Sequence, residues 1–363
     1  MKASSVRLFL CMNNKYQIKY STSLIDLISK EKISVALSTY QAGKVILISS
    51  RDGILNQLPI SFKKPMGIAI QGSKLAVACI DEIQLFSKEE QNKVCKKNDL
   101  NEFDNIYLHR ATYHTGILDL HDLEFGEGMI WGVNTLFSCL AVYDINFSFR
   151  PKWKPPFITS LIPEDKCHLN GMALLNHLPK YVTALSKDDT KQGWRKDKLN
   201  TGILMEVPSG EIILEGLSMP HSPRLNNDQL YVLESGNGNL LRVSPSEKKS
   251  EVIFNFNCFV RGLSFYKNYA LIGKSKIRDN SKDFEDLEVK ENSTNAGLIF
   301  FDMIKKEIIG EINYETDIEE IFDVQILENT ENPVIISTQL EKINDVITFP
   351  GNAFWKNESE DAN

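Results

Sequence analysis

Short apolar runs separated by polar turns dominate the chain from about residue 31 onward. They are rich in β-branched and aromatic residues, and clusters of Gly, Asn, Asp, Ser and Lys bound them, as is typical of β-strands. Clear examples stand at residues 34–39, 44–48, 74–79, 129–133, 181–185, 229–233 and 297–301. Helical periodicity is clearest in one earlier stretch, Ser23–Lys30. The pattern predicts an all-β fold preceded by a short helix.

Internal repetition selects among the all-β architectures. A turn, a Gly or Asp and then an apolar strand recur at intervals of roughly 40–60 residues, about the length of one four-stranded blade. The copies centre on Gly67, Asp122, Gly171, Arg224, Gly262 and Asp323, and the Arg224 copy is the weakest. We predict a single β-propeller of about six four-stranded blades, with a large irregular sandwich as the alternative. Strands near residues 34–50 would close the ring by pairing with the last blade.

The same pattern divides the chain into three parts. Residues 1–30 form an N-terminal extension with the short helix, and residues 31–348 form the propeller. Residues 349–363 form a polar tail that we predict to be disordered, because it has too little apolar surface to bury.

Composition narrows the class of partner. The chain has 363 residues, of which 42% are hydrophobic and 25% charged, and its net charge is −7. A nucleic-acid or anionic-membrane partner requires a basic face, so neither is expected. No apolar run is long enough for a secretory signal or a membrane helix, which predicts a cytoplasmic protein. The six cysteines are irregularly spaced, which indicates free thiols, with disulfides as the alternative.

Several chemically active side chains occupy matching positions of the repeat. If the central Gly or Asp of each copy is position zero, the residues one and three positions earlier share a face of an extended strand. In a propeller the inner strands line the channel, so these side chains would converge near its axis. The positions hold His121, His168, His221, Arg261 and Glu320, on five successive blades.

This set of residue types suits a metal. Imidazole nitrogens bind Zn, Fe, Ni or Cu, a carboxylate can complete the shell, and a bound metal can activate water. The sequence therefore predicts a divalent transition metal held by His121, His168, His221 and Glu320. The alternative is that the histidines bond to neighbouring blades and plug the channel.

Other residues near the repeats could hold a substrate. Arg224 and Arg261 would bind an anionic group, although Arg224 stands at position zero and would face away if its copy is in register. Trp194 and Arg195 lie in a loop expected to cover the ring, where they could clamp an anionic or planar ligand. A Trp packed under its own loop is the alternative. Asn170 stands one position before zero in its copy.

Longer motifs carry a family resemblance. They are TYQAGK (39–44), HD (121–122), NTLFSCL (134–140), CHLNG (167–171), GWR (193–195), PHSPR (220–224) and RGL (261–263). Together they resemble a bacterial family of conserved proteins of unknown function, from about Thr39 to Val324. The resemblance implies one chain-wide unit and names no activity. One departure is Lys166, where the family tends to have Arg.

Two classes of function follow from these observations. The first is an enzyme that acts on a small molecule at one end of the channel, with or without the help of a metal. The second is a non-catalytic propeller that binds a ligand or a protein and whose channel histidines are structural. The expected partner is accordingly a small anionic molecule or another protein. The sequence assigns no catalytic residue.

Overall fold

The apolar runs of the sequence form six antiparallel units of four strands. The computed structural model describes residues 6–8, 15–51, 53–90, 100, 102–277, 284, 286–350 and 352–355. The first elements are β1 (Val6–Leu8), β2 (Ile18–Ser21), α1 (Thr22–Glu31), β3 (Ile33–Thr39), β4 (Lys44–Arg51) and β5 (Ile54–Ser61).

Five blades are contiguous in sequence. Blade 1 contains β6 (Ile68–Gln71), β7 (Lys74–Ala78), β8 (Glu82–Glu90) and β9 (Asn105–His114). Blade 2 contains β10 (Leu120–Gly126), β11 (Met129–Asn134), β12 (Cys139–Val142) and β13 (Arg150–Trp153). Blade 3 contains β14 (Leu169–Leu175), β15 (Leu178–Ala184), β16 (Gly202–Glu206) and β17 (Ile212–Leu217). Blade 4 contains β18 (Pro220–Asn226), β19 (Gln229–Glu234), β20 (Asn239–Ser244) and β21 (Lys249–Asn255). Blade 5 contains β22 (Val260–Tyr266), β23 (Tyr269–Lys274), β24 (Gly297–Asp302) and β25 (Glu307–Tyr314).

The sixth blade joins the two ends of the propeller. Its inner strand is β26 (Asp323–Glu328), which pairs antiparallel with β3, and β4 and β5 follow outward. The pairing runs from Asp323 opposite Ser38 to Glu328 opposite Ile33. Closure of this kind ties the N-terminal strands to the C-terminal one, and the ring leaves only short, protected sheet edges at the channel. The predicted pairing of early strands with the last blade is confirmed.

The inner strands β6, β10, β14, β18, β22 and β26 contact one another in that order, and β26 contacts β6. Apolar side chains of adjacent blades pack between the sheets, as in the cluster that joins Trp131 and Val133 of blade 2 to Met172 and Val182 of blade 3. The prediction of an all-β fold, a single β-propeller of six four-stranded blades, is confirmed. The sandwich alternative is excluded.

The N-terminal extension packs on the propeller. The predicted helix is α1, which buries Leu24, Ile25 and Ile28 in the core between blades 5 and 6. Strand β2 pairs with β25, and β1 pairs with β2, so both extend blade 5 outward.

At the C-terminal end, β27 (Pro333–Ile336) runs parallel to β9 on the outside of blade 1. The hairpin of β28 (Val346–Phe349) and β29 (Asn352–Trp355) crosses the predicted boundary at residue 349, and residues 356–363 lie outside the described residues. The domain boundaries therefore stay predictions. Three short 3₁₀ helices complete the described elements, at Gly193–Lys196, Lys290–Asn292 and Glu341–Asp345.

Two general expectations meet the structure here. Cys79, Cys139, Cys167 and Cys258 are buried free thiols, as predicted, whereas Cys11 and Cys95 lie outside the described residues. In the part of the chain that the structure describes, no helix has both the length and the apolar character needed to cross a membrane.

Strand pairing corrects the repeat register in blade 4. In blades 2 to 5 the first residue of the inner strand pairs with the last residue of its neighbour: Leu120 with Asn134, Leu169 with Ala184, Pro220 with Glu234 and Val260 with Lys274. In blades 2, 3 and 5 position zero comes two residues after that first residue. Two residues after Pro220 comes Ser222, so position zero of this copy is Ser222 and the prediction that Arg224 occupies it was wrong. His221 therefore stands one position before zero, in the same place as His121 and Arg261.

Candidate functional site

The position-zero residues alternate in size around the channel. In ring order they are Gly67, Asp122, Gly171, Ser222, Gly262 and Asp323. A Cβ on Gly67 would lie 2.9 Å from the Cα of Asp122, and one on Gly262 would lie 3.0 Å from the Cα of Asp323. Glycine is needed at both positions because the next inner strand approaches so closely.

The larger position-zero side chains tie neighbouring blades together. The Asp122 carboxylate accepts the backbone N–H of Met172 at 3.0 Å, and the Asp323 carboxylate accepts that of Ile68 at 2.9 Å. The Oγ of Ser222 accepts the backbone N–H of Gly262 at 3.1 Å. These residues form the structural middle of the channel.

Arg224 closes this middle layer. Its Nη1 donates to Oδ2 of Asp122 at 2.8 Å, its Nη2 donates to Oδ1 at 3.1 Å, and its Nη1 also donates to the carbonyl oxygen of Met172 at 3.0 Å. Its Nη2 lies 3.8 Å from Oδ1 of Asp323. Burial opposes the charge, but the pKa of Arg224 is raised because Asp122 and Asp323 face it. Burial raises the pKa of Asp323 to about 6, against the effect of Arg224. Arg224 thus has its charge satisfied within the protein.

The three predicted histidines meet one layer above, at one end of the channel. His121 and His221 stand at the start of β10 and β18, with 9% and 4% of their surface exposed. His168 precedes β14 in a left-handed conformation, with φ of 52°. It therefore reaches the cluster through a turn, and not by sharing the face of an extended strand. The His121 and His168 rings meet edge to face, with their centroids 4.7 Å apart.

Each histidine is oriented by an oxygen bonded to its Nδ1. His121 donates to the carbonyl oxygen of Asp119 at 3.1 Å, and His221 to that of Met219 at 2.8 Å. The Nδ1 of His168 lies 3.0 Å from both carboxylate oxygens of Asp165. These acceptors place the proton on Nδ1 and leave a lone pair on Nε2. Among the residues that the structure describes, none of the three Nε2 atoms has a hydrogen-bond partner.

Burial keeps two of these rings neutral. Desolvation lowers the pKa of His121 to about 3, and the charge of Arg261 acts in the same direction, although Asp119 opposes both. The pKa of His221 is lowered well below its usual range by burial and then by Arg261. The charge of Arg261 therefore disfavours protonation of both rings at this end of the channel.

Arg261 is the cation of this cluster. Its guanidinium carbon lies 3.4 Å from the ring centroid of Phe322, and its Nη1 donates to Oε1 of Glu320 at 3.5 Å. Glu320, predicted as a metal ligand, is therefore a neighbour of Arg261. Asn170 stands beside the cluster with 4% of its surface exposed. Its Oδ1 accepts from Thr183, whereas its buried Nδ2 has no hydrogen-bond partner among the described residues.

The GWR segment covers His168. The Trp194 ring lies 4.3 Å from that of His168, and its Nε1 donates to the Asp165 carboxylate at 2.8 Å. The guanidinium of Arg195 lies 4.2 Å above the Trp194 ring. Asp165, which orients both His168 and Trp194, was not predicted from the sequence. The available signal was its place three residues before His168.

A buried lysine holds the loop that leads to this segment. The Nζ of Lys166 is 2.7 Å from Oδ1 of Asp189 and 3.1 Å from Oγ of Ser160. Lys166 thus grips a carboxylate at the position where the resemblance implies Arg, and it does so as a single point charge. The neighbouring Cys167 is no activated nucleophile, because burial raises the pKa of its thiol to about 12.

The donor set fits a metal only in part. The Nδ1-anchored imidazoles are the ligand type that a transition metal prefers. Within the described ranges, however, the His, Cys, Asp and Glu side chains form no group of three or more already positioned to hold an ion.

One solved structure shares the fold, and a second gives a weaker match. A chain of the nidogen–laminin complex has a TM-score of 0.53 at 10% identity, and the match covers 82% of this chain and 99% of that one. A protein of unknown function from Bacteroides caccae has a TM-score of 0.49 at 8% identity, covering 81% and 98% of the two chains. Similarity at this level concerns the fold alone. No curated protein matches the sequence.

A family model matches residues 22–336, from α1 to the end of β27, and so includes every blade and every residue of the histidine cluster. Its description is a domain of unknown function, DUF4915. The extent agrees with the resemblance seen in the motifs, which run from the closing blade to the last inner strand. The chain belongs to the DUF4915 family.

Proposed function

We propose that the channel end with His121, His168 and His221 is the active site of a small-molecule enzyme that uses a divalent transition metal. One observation carries the proposal. Each Nδ1 is bonded to an oxygen two or three residues earlier in the chain, so a neutral ring has its free lone pair on Nε2. Metal-binding histidines are generally oriented in this way.

The protonation state supports the same proposal. Metal binding requires neutral imidazole, and burial already holds His121 and His221 neutral at physiological pH. Side chains would have to move to bring the three Nε2 atoms to a common ion, because among the described residues they are not already positioned to hold one. Such an ion would polarise a substrate oxygen or lower the pKa of a bound water.

Arg261 is proposed to hold the anionic group of the substrate, and Glu320 to accompany Arg261. Glu320 would have to leave Arg261 to become a fourth ligand, so the proposal rests on the three histidines. Arg224, Trp194 and Arg195 have roles other than substrate binding in this proposal. Arg224 is committed to Asp122 in the layer below, and the GWR segment orients and covers His168.

Metal uptake tests the proposal. Protein without a histidine tag would be stripped with EDTA, titrated with Co²⁺ and Zn²⁺, and measured by visible absorption and elemental analysis. We expect about one ion per chain with nitrogen ligation. His168→Asn should weaken uptake at least about tenfold, because it removes one ligand of three. His177→Asn is the matched control, since His177 is exposed in the β14–β15 turn. Equal uptake by the two variants would refute the proposed site.

The alternative is a non-catalytic propeller that binds a protein partner. The loop between β12 and β13 favours it, because Ile145 is 89% exposed and Phe147 60% exposed. One structurally similar chain comes from the nidogen–laminin complex, although the likeness concerns the fold alone. This alternative predicts no metal uptake and no effect of His168→Asn on the protein's cellular function.

A further inference from the structure

A cavity of about 310 Å³ opens beside Arg261, between blades 5 and 6. Its size falls in the range of sites for small molecules. Its wall is partly apolar and partly charged. Its charged lining residues are Arg261, Lys276, Glu319 and Glu320, and its apolar ones include Phe259 and Phe284. Phe259 contacts both His221 and Phe284, with ring centroids 6.2 Å and 5.4 Å away, so the cavity adjoins the histidine cluster.

The charge of Arg261 is poorly satisfied inside the protein. Its side chain is 13% exposed, and its one hydrogen bond among the described residues is the contact to Glu320 at 3.5 Å, near the limit for such a bond. Arg224 offers a direct comparison on the neighbouring inner strand, because it makes two short bonds to Asp122 and two to backbone carbonyls. Burial lowers the pKa of Arg261 and is only partly opposed by the charges of Glu320, Asp119, Asp323 and Asp122, whereas the pKa of Arg224 is raised.

A buried guanidinium of this kind favours an incoming carboxylate, which it can bind through two parallel hydrogen bonds. Glu320 sets a second requirement. A plain carboxylate ligand would face the Glu320 carboxylate at close range, and like charges repel in a poorly solvated site. A ligand with a positive group next to its carboxylate would satisfy both side chains and replace one long contact by two close ones.

We propose that this cavity binds an α-amino acid with an apolar side chain. Its carboxylate would contact Arg261, its ammonium group would contact Glu320, and its side chain would lie against Phe259 and Phe284. The proposal deepens the proposed function, because it names the substrate class of the same channel end. Binding itself requires no metal, so the two ideas can fail separately.

Calorimetry on the EDTA-treated full chain tests the inference with three probes of one shape. L-Phenylalanine carries both charges, 3-phenylpropanoate only the carboxylate, and 2-phenylethylamine only the ammonium group. We expect L-phenylalanine to bind, and each analogue to bind at least about tenfold more weakly, since each loses one charge-assisted contact.

Two variants assign the contacts. Arg261→Met should weaken L-phenylalanine and 3-phenylpropanoate about 10- to 100-fold each. Glu320→Gln should weaken L-phenylalanine about tenfold and leave 3-phenylpropanoate unchanged or tighter, because the repelling charge is gone. Glu320 is 31% exposed, so its variant is expected to fold even if Arg261→Met does not. Arg242→Met is the matched control, since Arg242 lies in an exposed pair with Glu251 on blade 4.

Each unfavourable outcome is decisive. No binding of L-phenylalanine, or binding of 3-phenylpropanoate as tight as that of L-phenylalanine, overturns the inference. Equal effects of Arg261→Met and Arg242→Met also overturn it. If L-phenylalanine binds as expected and no metal is taken up, the amino-acid site stands and the metal proposal fails.

Discussion

Replacing Arg224 by Met tests how much the buried ion pair that closes the channel contributes to stability. Methionine keeps an unbranched apolar side chain but removes the guanidinium. Two charge-assisted hydrogen bonds to Asp122 disappear, together with the bonds to the carbonyl oxygens of Met172 and Pro223. Asp122 and Asp323, each 3% exposed, then remain buried with no ion pair to any other residue that the structure describes.

The expected cost is about 3–5 kcal/mol of unfolding free energy, the usual result of removing one member of a buried pair. Urea unfolding would measure it as a lower midpoint with an unchanged slope. Arg242→Met removes an exposed pair and should cost less than about 1 kcal/mol. Asp122→Asn in the Arg224→Met background should recover part of the loss, because an amide oxygen can still accept the N–H of Met172.

The loss must also depend on pH. Without Arg224, the pKa of Asp323 would rise above its present value of about 6. A carboxyl whose pKa is higher in the folded than in the unfolded state binds its proton at a higher pH when the protein is folded. Lowering the pH from 8 to 5 therefore favours folding of the variant. The difference in unfolding free energy between wild type and variant should therefore shrink by up to about 1.4 kcal/mol for each pH unit and each carboxyl group. The reasoning would be refuted if Arg224→Met lowered the unfolding free energy by no more than Arg242→Met does, or by the same amount at pH 8 and pH 5.

Three further predictions concern other parts of the channel. His121 should stay neutral in NMR titrations down to about pH 4, because burial lowers its pKa to about 3; protonation near pH 6 would contradict its desolvation. Gly171→Ala should lower the unfolding free energy by about 1–3 kcal/mol in urea titrations, because its Cβ would lie 2.5 Å from Cδ of Pro223; an unchanged midpoint would count against the close approach of these strands. Asp165→Asn should lower the unfolding free energy by about 1–3 kcal/mol and change the fluorescence of Trp194. The reason is that the carboxylate accepts two N–H groups, and an amide would present a donor to one of them. Unchanged emission would mean that Asp165 does not position Trp194.

The fold could be predicted because its information is local and repeated. Each blade carries its own strand pattern and turn residues, and six copies at regular spacing exclude most other all-β architectures. Helix α1 was recognisable for the same reason, since its buried positions follow the helical period. Closure by β3 and β26 followed from geometry, because a ring must join its first and last strands.

The candidate site could be predicted only to the level of its neighbourhood. Repeat phase brought His121, His221 and Arg261 to one end of the channel by analogy between blades. His168 reaches the same place through a left-handed turn, which strand alternation does not describe. In blade 4 the letters PHSPR allow either Ser222 or Arg224 at position zero, and only the pairing of β18 with β19 decides between them.

The sequence by itself thus determined the propeller, its blade count and the residues near the channel mouth, because hydrophobic period and repeat length act within each blade. Only the tertiary structure decided what each charge meets. Arg224 finds Asp122, 102 residues away, and becomes part of the framework. Arg261 lies over the Phe322 ring and makes one long hydrogen bond to Glu320, beside an open cavity. The two arginines differ because a charge is satisfied or left available by partners from other blades, and the sequence around an arginine does not specify those partners.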